Sequence, residues 1–303
     1  MSLPVYATPL ERIWRYTYLT ICGLVLFFLI APIVIVIPLS FNAEPYFTFT
    51  EKMLTLDPEG YSPRWYDTLL TYGMKAPEAP RDAAWWLDSW RNAQWVQAAK
   101  NSIIIGCFST IVATVLGTIA ALGLSRPEMP YRKTIMAILI SPMIVPIIIT
   151  ATGLFFFYSM TGLAGSYAGI VLAHATLGIP FVIITVTATL SSFDHSLTRA
   201  AASLGASPSR TFFKITLPLI LPGVISGALF AFVTSFDEVV VVLFVAAHDQ
   251  QTIPRQMWNG IREQISPAIL AVATILVVFS VALLTAVELL RRRSERMRGV
   301  TPR

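Results

Sequence analysis

The chain has 303 residues, of which 55% are hydrophobic and only 13% charged, against roughly 25% charged in a soluble domain. With a mean hydropathy of +0.67, this excludes a water-soluble globular protein and makes the bilayer the solvent. The net charge of +5 does not imply a nucleic-acid partner, because its densest cluster directly follows an apolar run, where basic residues act as a cytoplasmic stop signal.

In chain order, residues 1–16 read as a cytoplasmic tail carrying Arg12 and Arg15. The run from Leu19 to Leu39 outlasts the roughly 7–15 residues of a signal-peptide core, so 17–40 reads as a retained first transmembrane helix. Residues 41–100 form an external, periplasmic segment. In it Tyr61-Ser-Pro-Arg-Trp-Tyr-Asp-Thr-Leu-Leu reads as a short amphipathic helix, and 71–91, with Pro77 and Pro80, reads as an insertion. Trp65, Tyr66, Trp85, Trp86, Trp90 and Trp95 suit an interfacial aromatic belt, with an external docking surface as the alternative. A core over 101–290 supplies five further spans near 102–124, 135–158, 167–190, 220–245 and 267–290, each near the 20 apolar residues a crossing helix needs. Pro32, Pro142, Pro146 and Pro180 are tolerable inside spans because neighbouring helices satisfy the freed carbonyls. Gly117, Ala120, Ala121 and Gly123 permit close helix contact. Cys22 and Cys107, both in apolar runs, read as small buried side chains rather than a disulfide pair or metal ligands. Residues 291–303 are a basic cytoplasmic tail, with Arg291, Arg292, Arg293, Arg296 and Arg298. Glu288 precedes Arg291 by one turn, as in a surface ion pair.

Lys and Arg in short loops orient the chain. Arg126, Arg132 and Lys133 follow the second span, and Arg199, Arg210 and Lys214 follow the fourth. The loop at 159–166 has no charge. Both termini and the 191–218 loop therefore face the cytoplasm.

That loop carries the most specific local pattern. Asp194 precedes Leu197, Ala200, Ala201 and Leu204, spaced as one apolar, small-residue helix face. Gly205 suits a left-handed helix end, and Ser207-Pro208 suits the cap and first position of a second helix. The product is helix, turn, helix: either a connector lying on the headgroups or an insert for a partner's groove. Ala200, Ala201, Gly205, Ile215, Leu217 and Pro218 match the Glu-Ala-Ala, Gly, Ile, Leu-Pro pattern of permeases in binding-protein-dependent ABC importers, with Arg199 where that family carries Glu. Ser235-Phe-Asp-Glu-Val-Val-Val, Thr252-Ile-Pro, Pro267-Ala-Ile-Leu-Ala and Arg64-Trp65-Tyr66 extend the resemblance to the spermidine/putrescine permease C-like subfamily. Permeases for opines, ferric iron and aminoalkylphosphonates share much of this pattern.

The resemblance implies an all-α membrane protein with six transmembrane helices, the type I importer permease fold. It implies Arg199, Ala200, Ala201, Leu204, Gly205, Ile215, Leu217 and Pro218 as the ATPase-coupling loop. It also implies a second permease chain, two ATP-binding subunits that consume the ATP, and a periplasmic solute-binding protein. No phosphate-binding Gly-x-x-x-x-Gly-Lys-Ser/Thr loop, zinc helix, nucleophile elbow or dinucleotide fingerprint occurs, so the chain is expected to be neither an enzyme nor a cofactor carrier. Polar residues at depth are costly and face protein or a pathway rather than lipid. Asp237 and Glu238, read as lying inside the fifth span, are therefore candidates for a path that attracts a cationic substrate, or for bonds between helices. His174 reads as a helix-to-helix hydrogen bond. Arg255 and Arg262, with His248-Asp249, are candidate contacts for the external binding protein. A stand-alone secondary transporter is the rival class. It calls for internal repeats with broken helices, and no convincing repeat occurs.

Overall fold

A computed structural model describes residues 8–126, 128–194, 196–263 and 266–297. Among these the chain is helical. In order come α1 (Pro9–Leu39), α2 (Glu51–Leu54), α3 (Arg64–Thr71), α4 (Ala83–Asn92), α5 (Gln94–Leu124), α6 (Arg132–Ile144) and α7 (Ile147–Thr161). They are followed by α8 (Tyr167–Ser191), α9 (Ser196–Ser203), α10 (Pro208–Thr211), α11 (Leu217–Phe236), α12 (Val240–Val245), α13 (Ile253–Glu263) and α14 (Ala268–Met297). By length and composition α1, α5, α8 and the segment Pro208–Phe236 are each able to cross a bilayer, and α6 with α7 adds a fifth crossing if the pair counts as one span. The described apolar part of α14 is Ala268–Ala282. Most side chains beyond it, including Glu288 and the arginines of the basic tail, lie outside those described.

Two compact units emerge, one made of residues up to Tyr72 together with those from Gly260 onward, the other of Gly73–Asn259. In the first, α1 starts well before the expected boundary at 17. Thr8 Oγ1 accepts the Glu11 N–H at 3.3 Å and Glu11 returns a bond to the Thr8 N–H at 2.8 Å, a reciprocal cap with Pro9 at the first helical position. The apolar side chains of α1 are largely exposed, as suits a helix whose solvent is lipid. Past its end, Asn42 organises the connection: its Nδ2 donates to Tyr46 O and Thr48 O at 3.0 Å each. Trp65 Nε1 donates to Asn42 O at 2.7 Å, and Tyr66 pairs with Ser40 Oγ at 2.7 Å.

The second unit is centred on α5, α8 and α11. Lipid tails are as apolar as Leu, so packing rather than hydrophobic transfer holds such helices together, and small residues let backbones approach. Val182 of α8 is fully buried among Ala113, Ala121, Val186, Ile220 and Ala231. Glycines approach it from both sides. A Cβ on Gly117 of α5 would stand 2.6 Å from Val182 Cβ, and one on Gly227 of α11 would stand 2.8 Å from Val182 Cα. A second cluster, including Ile105, Tyr158, Ile170, Val241 and Val245, seats α12 against α7 and α8.

Two expected spans are broken. The one at 135–158 bends by 100° between α6 and α7. Pro146 has no N–H to give, and it holds Val145 in extended geometry (φ −69°, ψ 134°). The one at 220–245 stops at Phe236 and resumes as α12. The aromatic belt is also only partly realised: Trp85 and Trp95 are buried, while Trp86 and Trp90 are exposed. Residues 71–91 fold as a lobe. Asp88 Oδ2 accepts the N–H of Lys75 and Ala76 at 3.1 Å each, Asp88 Oδ1 accepts from Asn92 at 2.5 Å, and Trp85 Nε1 donates to Pro77 O at 3.1 Å. Cys22 and Cys107 are exposed on their helices rather than buried.

Candidate functional site

The 191–218 loop is built by local chemistry. Asp194 receives the Ser196 N–H on Oδ1 at 2.8 Å and the Ser196 hydroxyl on Oδ2 at 2.7 Å, which sets the first turn of α9. At the other end Gly205 takes φ +76°. The Ala206 N–H then donates to Ala201 O at 3.0 Å and the Gly205 N–H to Ala202 O at 2.9 Å. This paired closure satisfies the last carbonyls of α9 and turns the chain sharply. Ser207 Oγ accepts the Arg210 N–H, with Pro208 at the first position of α10. The expected second helix is not a separate element. A π-helical turn over Phe212–Thr216 joins α10 to α11, so it forms the first turns of the fifth span. Leu217 and Pro218 open α11 itself.

The faces of α9 divide clearly. Ala201 is buried, while Ala200 is exposed and Leu204 stands 88% exposed one turn further on. Arg199 lies on another side, where it lines a cavity of about 730 Å³ together with Arg126, Glu128, Phe193, Thr211 and Phe212. Arg126 enters the sequence analysis only as loop charge and Glu128 not at all, since nothing local marks either as a neighbour of Arg199.

Asp237 and Glu238 occupy the break between α11 and α12, not the interior of a continuous helix. Asp237 caps α11, its N–H bonded to Val233 O at 3.0 Å, and is exposed. Glu238 is buried, and its Oε1 accepts the Val241 N–H at 2.9 Å. The Glu238 carboxylate at the start of α12 sits where the helix dipole is positive, which favours it there. The other end of α12 is held by Arg255, whose Nη1 donates to Val242 O at 3.1 Å and Ala246 O at 3.2 Å. This corrects the expectation that Arg255 is an outward contact. Its guanidinium is turned inward onto helix carbonyls, and burial pushes its pKa down. Arg262 is exposed. His248 and Asp249 line a separate cavity of about 240 Å³ with Arg91 and Gln256.

His174 does link helices, its Nδ1 lying 2.8 Å from Ser235 Oγ, which in turn lies 3.0 Å from Ser109 Oγ. This buried chain ties α8, α11 and α5 together beside the acids. Ser109, and the part Ser235 plays as the partner of His174, escape the sequence analysis because single serines in apolar helices usually bond back to their own backbone, and Ser109 bonds to Ile105 O as well.

Known proteins converge on this architecture. Residues 113–296 match the family described as binding-protein-dependent transport system inner membrane component. A spermidine/putrescine transport system permease protein, PotC of Haemophilus influenzae, is 30% identical over 88% of this chain and 93% of its own length. A putrescine transport system permease protein, PotI of Escherichia coli K12, is 31% identical over 91% and 88%. Among solved structures, a bacterial ABC transporter involved in import of the acidic polysaccharide alginate shares the fold. Its TM-score is 0.69 at 16% identity, over 94% of this chain and 99% of that one. The chain is thus a multi-pass, non-catalytic membrane subunit, and it belongs to the family of binding-protein-dependent transport system inner membrane components.

Proposed function

We propose that this chain is one half of the translocation path of an ABC importer for a polyamine. It has six spans, with α14 as the sixth, and both termini in the cytoplasm. A second, different permease completes the path, two ATP-binding subunits engage the 191–218 loop from inside, and a solute-binding protein delivers cargo from outside. The observation that carries the reading is the outward face of α9. Ala200 and Leu204 project from a short, capped helix that the other described residues leave uncovered, which is the form a helix takes when it fills a partner's groove. ATP-driven closure of the ATPases would move this helix and bias a two-state path. The cargo class is supported by the names of the PotC and PotI relatives and by Asp237, a carboxylate exposed at the α11–α12 break that suits an amine. The outer contact for the binding protein is Arg262.

The test is uptake of labelled spermidine into vesicles holding the complete transporter, with ATP inside. Leu204→Glu is expected to abolish ATP-driven uptake while leaving the chain folded, since Leu204 touches almost nothing in the chain itself. Uptake by this chain alone, driven by an ion gradient without ATPase, would overturn the proposal in favour of a secondary transporter.

A further inference from the structure

The cavity behind α9 has its own chemistry. Arg126, just past the end of α5, and Arg199 both line it, opposed by Glu128. Neither guanidinium has an ion-pair partner among the described residues, whose ion pair is Lys52–Glu59. Thr211 adds a hydroxyl, while Leu122 and Phe212 supply an apolar wall continuous with the spanning helices. Two guanidiniums against one carboxylate leave a single net positive charge at the junction of apolar helix and polar loop. Guanidinium geometry matches phosphate oxygens, and basic pockets between helices on the cytoplasmic side are suited to lipid headgroups.

We propose that this cavity binds the phosphodiester headgroup of an anionic phospholipid from the cytoplasmic leaflet. Arg126 and Arg199 grip the phosphate, and Leu122 and Phe212 receive the start of the acyl chains. A diester carries one negative charge and matches the cavity, whereas Glu128 repels the second charge of a free phosphate or monoester. The base at position 199 then serves the rear of α9 and leaves the Ala200–Leu204 face to the ATPase. A lipid held there braces the coupling helix against the end of α5. The proposal rests on the cytoplasmic placement of the 191–218 loop given above.

The experiment is native mass spectrometry of the purified full chain in detergent, titrated with phosphatidylglycerol and, separately, phosphatidylethanolamine. Wild type is expected to retain phosphatidylglycerol preferentially. Arg126→Gln and Arg199→Gln are each expected to weaken it about fivefold, and Glu128→Gln to strengthen it, since each basic residue near an anionic surface contributes about that factor. Helical circular dichroism checks that every variant is folded. Equal retention of both lipids, or a folded Arg126→Gln/Arg199→Gln variant with unchanged selectivity, overturns the proposal. Displacement by soluble glycerol 3-phosphate at matching concentration assigns the site to free phosphate esters and refutes the lipid. Loss of ATPase assembly in Arg199→Gln with lipid retention unchanged assigns Arg199 to the protein partner and refutes it too. Sidedness is read separately. Ser203→Cys in a chain with both native cysteines replaced by Ser is exposed to an impermeant maleimide from outside the cell, and labelling there overturns the orientation itself.

Discussion

Replacing Gly117 by Ala is expected to destabilise the chain, although Ala is the better helix former by about 1 kcal/mol. The added methyl would sit 2.6 Å from Val182 Cβ and 2.8 Å from its Cγ1, with Ile179 O at 3.3 Å. Cβ is fixed to the backbone, so no rotamer change relieves the closest contact and α5 must move away from α8. Overpacking of this kind costs typically about 1–3 kcal/mol; after the propensity gain, a net loss of up to about 2 kcal/mol remains. Gly153 of α7 is the control. A Cβ there meets nothing within 4 Å, so Gly153→Ala is expected to be neutral or stabilising. Val182→Gly removes the obstructing atoms at its own cost, and in combination with Gly117→Ala it is expected to show a favourable coupling of at least about 1 kcal/mol. Thermal unfolding in detergent, followed by circular dichroism, measures all four. Equal midpoints for Gly117→Ala and Gly153→Ala, or strict additivity in the double variant, would refute the view that this contact is what limits helix approach.

Arg255→Met keeps the apolar stem but removes the guanidinium donor from Ala246 O and one of the two donors on Val242 O, which retains the Ala246 N–H; a loss of about 1–3 kcal/mol is expected in the same unfolding assay. Asp237→Asn is expected to lower spermidine uptake without a change in unfolding midpoint, while Glu238→Gln, which weakens the cap on Val241, is expected to lower the midpoint. Reversal of that pattern would exchange their roles. Asp88 has its pKa held below the ordinary carboxylate value, chiefly by Asn92 and then by the Ala76 and Lys75 N–H groups. A depressed folded-state pKa stabilises above the unfolded value of about 3.9 and is lost as pH falls through the lower, folded one. The 71–91 lobe should therefore loosen in that acid window, seen as a change in tryptophan emission, and Asp88→Asn should remove the transition.

What the sequence disclosed follows the range of the interactions involved. The caps at Asp194, Gly205 and Ser207-Pro208 act within a few residues, so residue type and order were sufficient to place them. The bend at Val145-Pro146 was also locally written, but a continuous apolar run hid a conformational rule that acts through Pro146 on the residue before it. The break at Asp237 had no such local rule: a run of valines flanks the acids, and only the burial of Glu238 against the start of α12 distinguishes it from a kinkless helix. Arg255 lay beyond reach for a different reason. Its acceptors lie on a helix that the chain leaves and then approaches again through the 246–252 turn, so its role depends on tertiary placement. The neighbourhood of Arg126 and Arg199, separated by two spans, was invisible for the same cause.

The glycines on either side of Val182 carry a kinematic consequence. Helices pressed to backbone contact do not slide past one another, because sliding would drive a Cβ or a carbonyl into the opposing chain. The close contacts of α5 and α11 with Val182 of α8 therefore favour movement of the three helices as one unit. Rotation in a transport cycle has to be absorbed where the helical ladder is interrupted, and the described residues offer Val145-Pro146 and Asp237–Val239 for it. The second of these places the exposed carboxylate of Asp237 at an interruption in the helical ladder, where a change in backbone direction would turn it.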